Sequence, residues 1–216
     1  MSNDDFDLRN YDAIHPRGPD WRGRLKKLFG PVLAVGLALL KFSFILLKFS
    51  TIFIAVAAYA LIWGWTFASG VVFLILFHEV GHYLEAKREG LNPKLPVFVP
   101  FLGAYVAYTR GHPWQTVRVA IAGPILGGAA AFVIYLLAQS RGSDFLYALA
   151  YFGFFLNLLN MVPVGIFDGG AIWRSARFLR LGGGRNLALA SYALYFATAA
   201  MLVLGMVASH VPQNRL

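Results

Sequence analysis

His78-Glu79-Val80-Gly81-His82 closes a long uncharged apolar stretch and reads H-E-x-x-H. On a helix, residues four apart share a face, so both imidazoles can reach one ion. Glu79 then projects beside that ion, where a carboxylate can take a proton from water. The chain holds only five histidines and three glutamates. A chance H-E-x-x-H therefore has a probability on the order of 0.2%. Placement adds weight, because ionisable side chains inside an apolar helix are costly and mark function.

The surrounding composition is that of a membrane protein. Of 216 residues, 58% are hydrophobic and 13% charged, with mean hydropathy +0.61. Soluble domains carry about 25% charged residues. The length suits a single domain. The chain has no cysteine, which excludes a disulfide framework and a thiolate zinc site. A net charge of +9 raises nucleic acid as a partner until the distribution of the charges is examined.

Outward from the motif, Phe49 to Phe77 is uncharged and helical character runs on to about Ala86. As one helix this stretch would be about 57 Å long, against a hydrocarbon core of about 30 Å. It must fold back, with Gly64, Ser69 and Gly70 as breakers, giving spans near 49–66 and 70–86. Residues 24–48 are apolar but interrupted by Lys41 and Lys48, and predict an interfacial or re-entrant helix. Residues 1–23 read as a flexible polar tail and 210–216 as a short one. Beyond the motif, Pro93, Pro96 and Pro100 prevent a helix, while Val97–Val99 and Ala104–Tyr108 are strand formers around Gly103. Further spans are expected at 119–138, 145–162 and 187–209, with a basic surface helix from Gly169 to Leu181. The expected fold is thus an all-α polytopic membrane protein of about five transmembrane helices. An N-terminal interfacial or re-entrant helix precedes them, and a small β-hairpin or extended loop lies at the mouth of the site.

This arrangement accounts for the charge. It puts 17 of the 19 lysines and arginines on one side and only Arg141 and Arg215 on the other. The positive-inside rule makes the first side cytoplasmic. The excess charge then faces the anionic cytoplasmic leaflet, and nucleic acid is not expected as a partner.

Two histidines leave a zinc ion short of a third protein ligand. Glu85 and Arg88 occupy the places where an extended metzincin motif needs glycine and histidine, and no glutamate follows Glu89. Asp144 and His210 fall on the far side, and Glu85 and Glu89 lie toward the cytoplasm. Asp168 is the best remaining candidate, with His112 second. Pro163 breaks the preceding apolar helix, and the broken segment stays apolar as far as Asp168-Gly169-Gly170, which suits backbone lining a protected cavity at membrane depth.

H-E-x-x-H on one span with N-x-x-P-x-x-x-x-D-G on a later one resembles the paired signature of the site-2 intramembrane metalloproteases. His78, Glu79, His82, Asn160, Pro163, Asp168 and Gly169 match it position by position. The resemblance covers roughly residues 70–170. It implies a zinc ion held by His78, His82 and Asp168 near the cytoplasmic side, Glu79 as catalytic acid/base, and Asn160 as a polar contact to substrate. Many relatives carry PDZ or CBS domains, and no segment here is long enough for either. A single metalloprotease domain over 49–209 follows as the expectation.

The function so implied is zinc-dependent hydrolysis of a peptide bond in or near a transmembrane segment of a membrane-anchored client, such as a regulator released by cleavage. The expected setting is the plasma membrane, with the site toward the cytoplasm. A helical client must unwind locally, and its freed backbone groups need an unpaired edge; Val97, Val99, Tyr105 and Ala107 are the candidate docking residues. Two other classes of function compete with this reading. One is a catalytically silent relative that binds client helices, against which the presence of Glu79 and Asp168 speaks. The other is a transporter using His78, Glu79 and Asp168 as a proton relay, which would bind no zinc.

Overall fold

The computed structural model describes residues 21–101 and 103–210. Of the tails expected at 1–23 and 210–216, residues 1–20 and 211–216 lie outside the described residues. The chain divides into two units, residues 1–46 and 47–216. In the first, the helix begins at Trp21, inside the stretch expected to be tail, and leaves Phe29, Leu33, Leu37 and Leu40 exposed.

The chain order is α1 (Trp21–Arg88), β1 (Val97–Val99), β2 (Gly103–Tyr105), α2 (Pro113–Arg141), α3 (Asp144–Asn160), α4 (Asp168–Leu181) and α5 (Arg185–Ala208). Among the described residues, three segments are long and apolar enough to cross a membrane: Ser50–Arg88, Pro113–Arg141 and Arg185–Ala208. α3, with 17 residues, is shorter but equally apolar.

Gly64 interrupts α1 with φ 75° and ψ 160°, a combination that glycine adopts readily and residues with a Cβ rarely do. The chain reverses there. Tyr59 and His78 line one cavity, although 19 residues of continuous helix would separate them by about 28 Å. Ala55 and Tyr59 belong to one buried cluster with Ala68, Val72 and Phe98. The fold-back expected from length is therefore present, but the breaker is Gly64 alone. Ser69 stays helical and donates its hydroxyl to Trp65 O at 2.7 Å. Gly70 serves packing instead, since a Cβ there would meet Leu149 Cδ2 of α3 at 2.6 Å.

α2 starts six residues earlier than expected because His112 and Gln115 form a capping box around its first turn. The main core joins Val71 and Leu74 of α1 to Val117, Ile121 and Ala131 of α2, Leu149 and Phe154 of α3, and Tyr195 and Leu202 of α5. α2 packs on α3, α4 and α5.

The expected hairpin is an antiparallel pair in the register Val97↔Tyr105, Phe98↔Ala104, Val99↔Gly103. Its second strand stops at Tyr105, short of the expected Tyr108. The Phe98 N–H turns away from β2 and donates to Thr51 Oγ1 at 3.3 Å. Pairs alternate along an antiparallel ladder, so Phe98↔Ala104 exchanges no bonds. The backbone groups of Ala104 consequently point outward from the free edge of β2.

Candidate metal centre

α1 delivers His78, Glu79 and His82 from one face, about 15 Å along the helix before Arg88. All three are buried, at 6%, 5% and 8% exposure. Gly81 and Gly123 set how closely α1 and α2 approach. A Cβ on Gly81 would overlap the Ala122 carbonyl, and one on Gly123 would overlap the His82 ring. This contact brings His82 Nδ1 to 2.8 Å from Val119 O.

The other histidine is oriented by α3. His78 Nδ1 lies 2.8 Å from Asn157 Oδ1, and Asn157 Nδ2 donates to Gly153 O at 2.8 Å. The second bond fixes the amide so that its oxygen faces His78. Both histidines thus meet an oxygen acceptor at Nδ1, which places the ring proton there and leaves a lone pair on each Nε2. Asn157 is 2% exposed. The sequence reading singled out Asn160 and passed over Asn157. The available signal was an amide in the middle of an otherwise apolar helix.

Asp168 enters from the first turn of α4. Its Oδ2 lies 3.1 Å from His78 Nε2 and 3.3 Å from His82 Nε2, and the two Nε2 atoms are 3.0 Å apart. Despite that proximity Asp168 Oδ2 has no hydrogen-bond partner among the described residues, as expected when neither Nε2 carries a proton. Three electron-rich atoms converging this closely repel one another unless a cation lies between them. A tetrahedral zinc with ligands at about 2.0–2.1 Å separates them by about 3.3 Å. The arrangement and the two-nitrogen, one-carboxylate donor set therefore fit zinc. Glu79, with its own ligand atom within 4.8 Å of those of the histidines, keeps a buried Oε2 that likewise has no partner among the described residues.

The segment that positions Asp168 is held from three directions. Tyr195 donates its hydroxyl to Met161 O at 2.7 Å, and Arg174 Nη1 donates to Gly165 O at 2.8 Å. Gly169 lies so close to the Met161 carbonyl that a Cβ would overlap it. Glycine at 169 is thus required for the start of α4 to nest against the end of α3.

The remaining candidates are placed as follows. Asn160 donates to Leu156 O at 3.3 Å and lines a cavity of about 350 Å³ together with Tyr59, His78, Glu79, Phe101 and Ala104. Val97, Val99 and Tyr105 are in the hairpin but do not line that cavity, and Ala107 lies beyond β2, its carbonyl accepting from Lys94 N at 2.8 Å. His112 Nδ1 is engaged in capping α2, where it accepts from Trp114 N. Glu85 and Glu89 hold the Arg118 guanidinium at 2.6 and 2.5 Å. Tyr108 lies within electrostatic reach of the site: burial and, secondarily, the Asp168 carboxylate push its hydroxyl pKa upward.

The model of peptidase family M50 matches residues 66–142 and 137–204. A zinc metalloprotease of Methanocaldococcus jannaschii is 26% identical over 152 residues, covering 65% of this chain and 44% of the relative. A second protein of that organism, whose name proposes the same activity, is 28% identical over 148 residues, covering 54% of this chain and 78% of the relative. The chain thus spans less than half the length of the first of these relatives.

Proposed function

The chain belongs to peptidase family M50, and from that premise we propose that it is a zinc-dependent endopeptidase acting on a peptide bond in or near a transmembrane segment of a membrane-anchored client. The observation that carries the proposal is the convergence of His78, His82 and Asp168 beside Glu79, whose Oε2 has no hydrogen-bond partner among the described residues. Zinc held by those three residues supplies a Lewis acid that polarises a carbonyl and acidifies water. Glu79 Oε2 takes a proton as water oxygen bonds to the scissile carbonyl carbon. It returns that proton to the amide nitrogen as the C–N bond breaks. Asn157 and Val119 O hold the two imidazoles in register, and Asn160 lies where it can contact substrate backbone.

The test uses detergent-purified protein and a reporter whose transmembrane helix is labelled at both ends. Chelation should stop cleavage and stoichiometric zinc should restore it. Cleavage that persists after complete metal removal would overturn the proposal.

A helix presents no free backbone groups, so the client must unwind and find an edge. We give this role to Ala104, which lines the cavity and whose backbone groups face outward in the hairpin register. Val97, Val99 and Tyr105 belong to the pairs that bond within the hairpin. Ala104→Pro should lower cleavage about tenfold, with zinc content and melting temperature unchanged, because proline cannot donate. Normal cleavage by this variant would remove β2 as the docking edge.

For topology we propose five crossings, the reversal at Gly64 dividing Ser50–Arg88 into two. The 17-to-2 charge split supports a cytoplasmic hairpin and α4 in the plasma membrane. Single cysteines at positions 112 and 183 should then react with an impermeant thiol reagent only after the cytoplasmic face is opened. A cysteine at 142 should react from outside, and outside labelling at 112 would reverse the orientation.

A further inference from the structure

Beyond the end of β2 lies a cavity of about 550 Å³, separate from the one that His78 and Glu79 line. The 106–113 loop and α4 form its walls, and its polar lining includes Tyr108, Arg110, Thr116, Arg174 and Ser175. Arg110 and Arg174 come from different elements, and neither has an ion-pair partner among the described residues. Arg88 and Arg118 on this side are paired to Glu85 and Glu89, whereas Arg177 and Arg180 of α4 also lack an ion-pair partner among the described residues but do not line the cavity. No carboxylate lines the cavity. Two uncompensated guanidiniums facing one concavity recruit an anion with several acceptor oxygens.

The apolar neighbours decide which anion. Phe178 lines the same cavity, and Phe178 and Leu181 stand one and two turns beyond Arg174 on the same face of α4, 66% and 76% exposed. A soluble acidic peptide would leave these side chains in water. A phospholipid accommodates both features, its phosphate on the guanidiniums and its acyl chains beside Phe178 and Leu181.

We propose that this cavity binds the headgroup of an anionic phospholipid of the cytoplasmic leaflet. The assignment rests on the topology given above but not on proteolysis. The site is coupled to the metal centre through short connections. Arg174 already donates to Gly165 O in the segment that leads to Asp168, and Tyr108, which lines the cavity, lies within electrostatic reach of the Asp168 carboxylate. A bound phosphate would fix the Arg174 side chain and with it the 161–167 segment, so the lipid should favour the arrangement in which Asp168 meets the two histidines.

The experiment is native mass spectrometry of the full chain, released from micelles containing equal amounts of phosphatidylglycerol and phosphatidylcholine. Wild type should retain one phosphatidylglycerol in preference to phosphatidylcholine. Arg110→Gln, which disturbs no hydrogen bond of the Asp168 segment, should weaken retention about five- to tenfold. Arg177→Gln removes the same charge from α4 outside the cavity and should retain lipid as wild type does. Melting temperature and zinc content report the folding of each variant. Equal loss in both variants would reduce the effect to diffuse surface charge and overturn the site. So would displacement of the lipid by a soluble acidic peptide, or equal retention of the two lipids. Because retention is read without substrate, its failure is separable from a failure of the protease assay.

Discussion

Glu79→Gln is expected to abolish cleavage while leaving zinc at wild-type stoichiometry. The substitution keeps shape and burial and removes only the capacity to accept and return a proton. No hydrogen bond of Oε2 among the described residues is lost with it. General acid–base catalysis contributes about 10²–10⁴ in rate, so the loss should be at least that large. Asp168→Ala behaves differently. It removes one of three converging donor atoms, and zinc occupancy should fall together with activity. Asn157→Leu lies between these two. It keeps approximate volume but leaves the buried His78 Nδ1–H without its 2.8 Å acceptor, and loss of such an orienting partner lowers metal affinity about 10–100-fold. Zinc content after a graded chelator challenge separates the three. If Glu79→Gln loses zinc, or Asp168→Ala retains it fully, the division between base and ligands is wrong.

The parts of this site that were legible in the sequence are those carried by spacing. His78 and His82 four apart, and Asp168 behind a proline in an apolar stretch, are local patterns with one economical chemical use. The length of the uncharged run likewise required a reversal, because no bilayer accommodates a helix of that length. The location of the reversal was less legible. Gly64, Ser69 and Gly70 are equivalent as breakers until tertiary contacts are known. Only Gly64 adopts positive φ, while Gly70 is needed for the approach of Leu149. Asn157 was missed for a related reason. Its importance comes from a neighbour 79 positions away, whereas Asn160 belongs to a contiguous motif. His112 misled in the opposite direction. A histidine before Pro113 has a metal-ligand interpretation and a capping one, and the Gln115 side chain that completes the cap decides between them. The docking edge needed the strand register, which shifts every outward-facing group by one residue and cannot be read from β propensity.

Helix packing leads to the other large expected effect. Gly81→Ala should destabilise the protein by about 1–3 kcal/mol and release zinc, whereas Gly70→Ala should be nearly neutral. Both positions lie in α1, and alanine gains the same helix propensity at each, about 1 kcal/mol. Their neighbours differ. At Gly81 a methyl group would overlap the Ala122 carbonyl oxygen and lie 2.8 Å from Ala122 C and 2.9 Å from Gly123 Cα. All of these are backbone atoms inside α2, and no side-chain rotation relieves the overlap. α1 must then move away from α2, which lengthens the 2.8 Å contact between His82 Nδ1 and Val119 O. His82 loses its orientation, and the three donor atoms no longer converge. At Gly70 the methyl group meets only side-chain atoms of Leu149, the two terminal carbons at 2.6 and 2.8 Å and Cγ at 3.3 Å, and a leucine side chain can turn aside. Thermal unfolding in detergent, together with bound-zinc analysis, distinguishes the two variants. Equal melting temperatures and equal zinc content would show that the approach of α1 to α2 at Gly81 does not position His82.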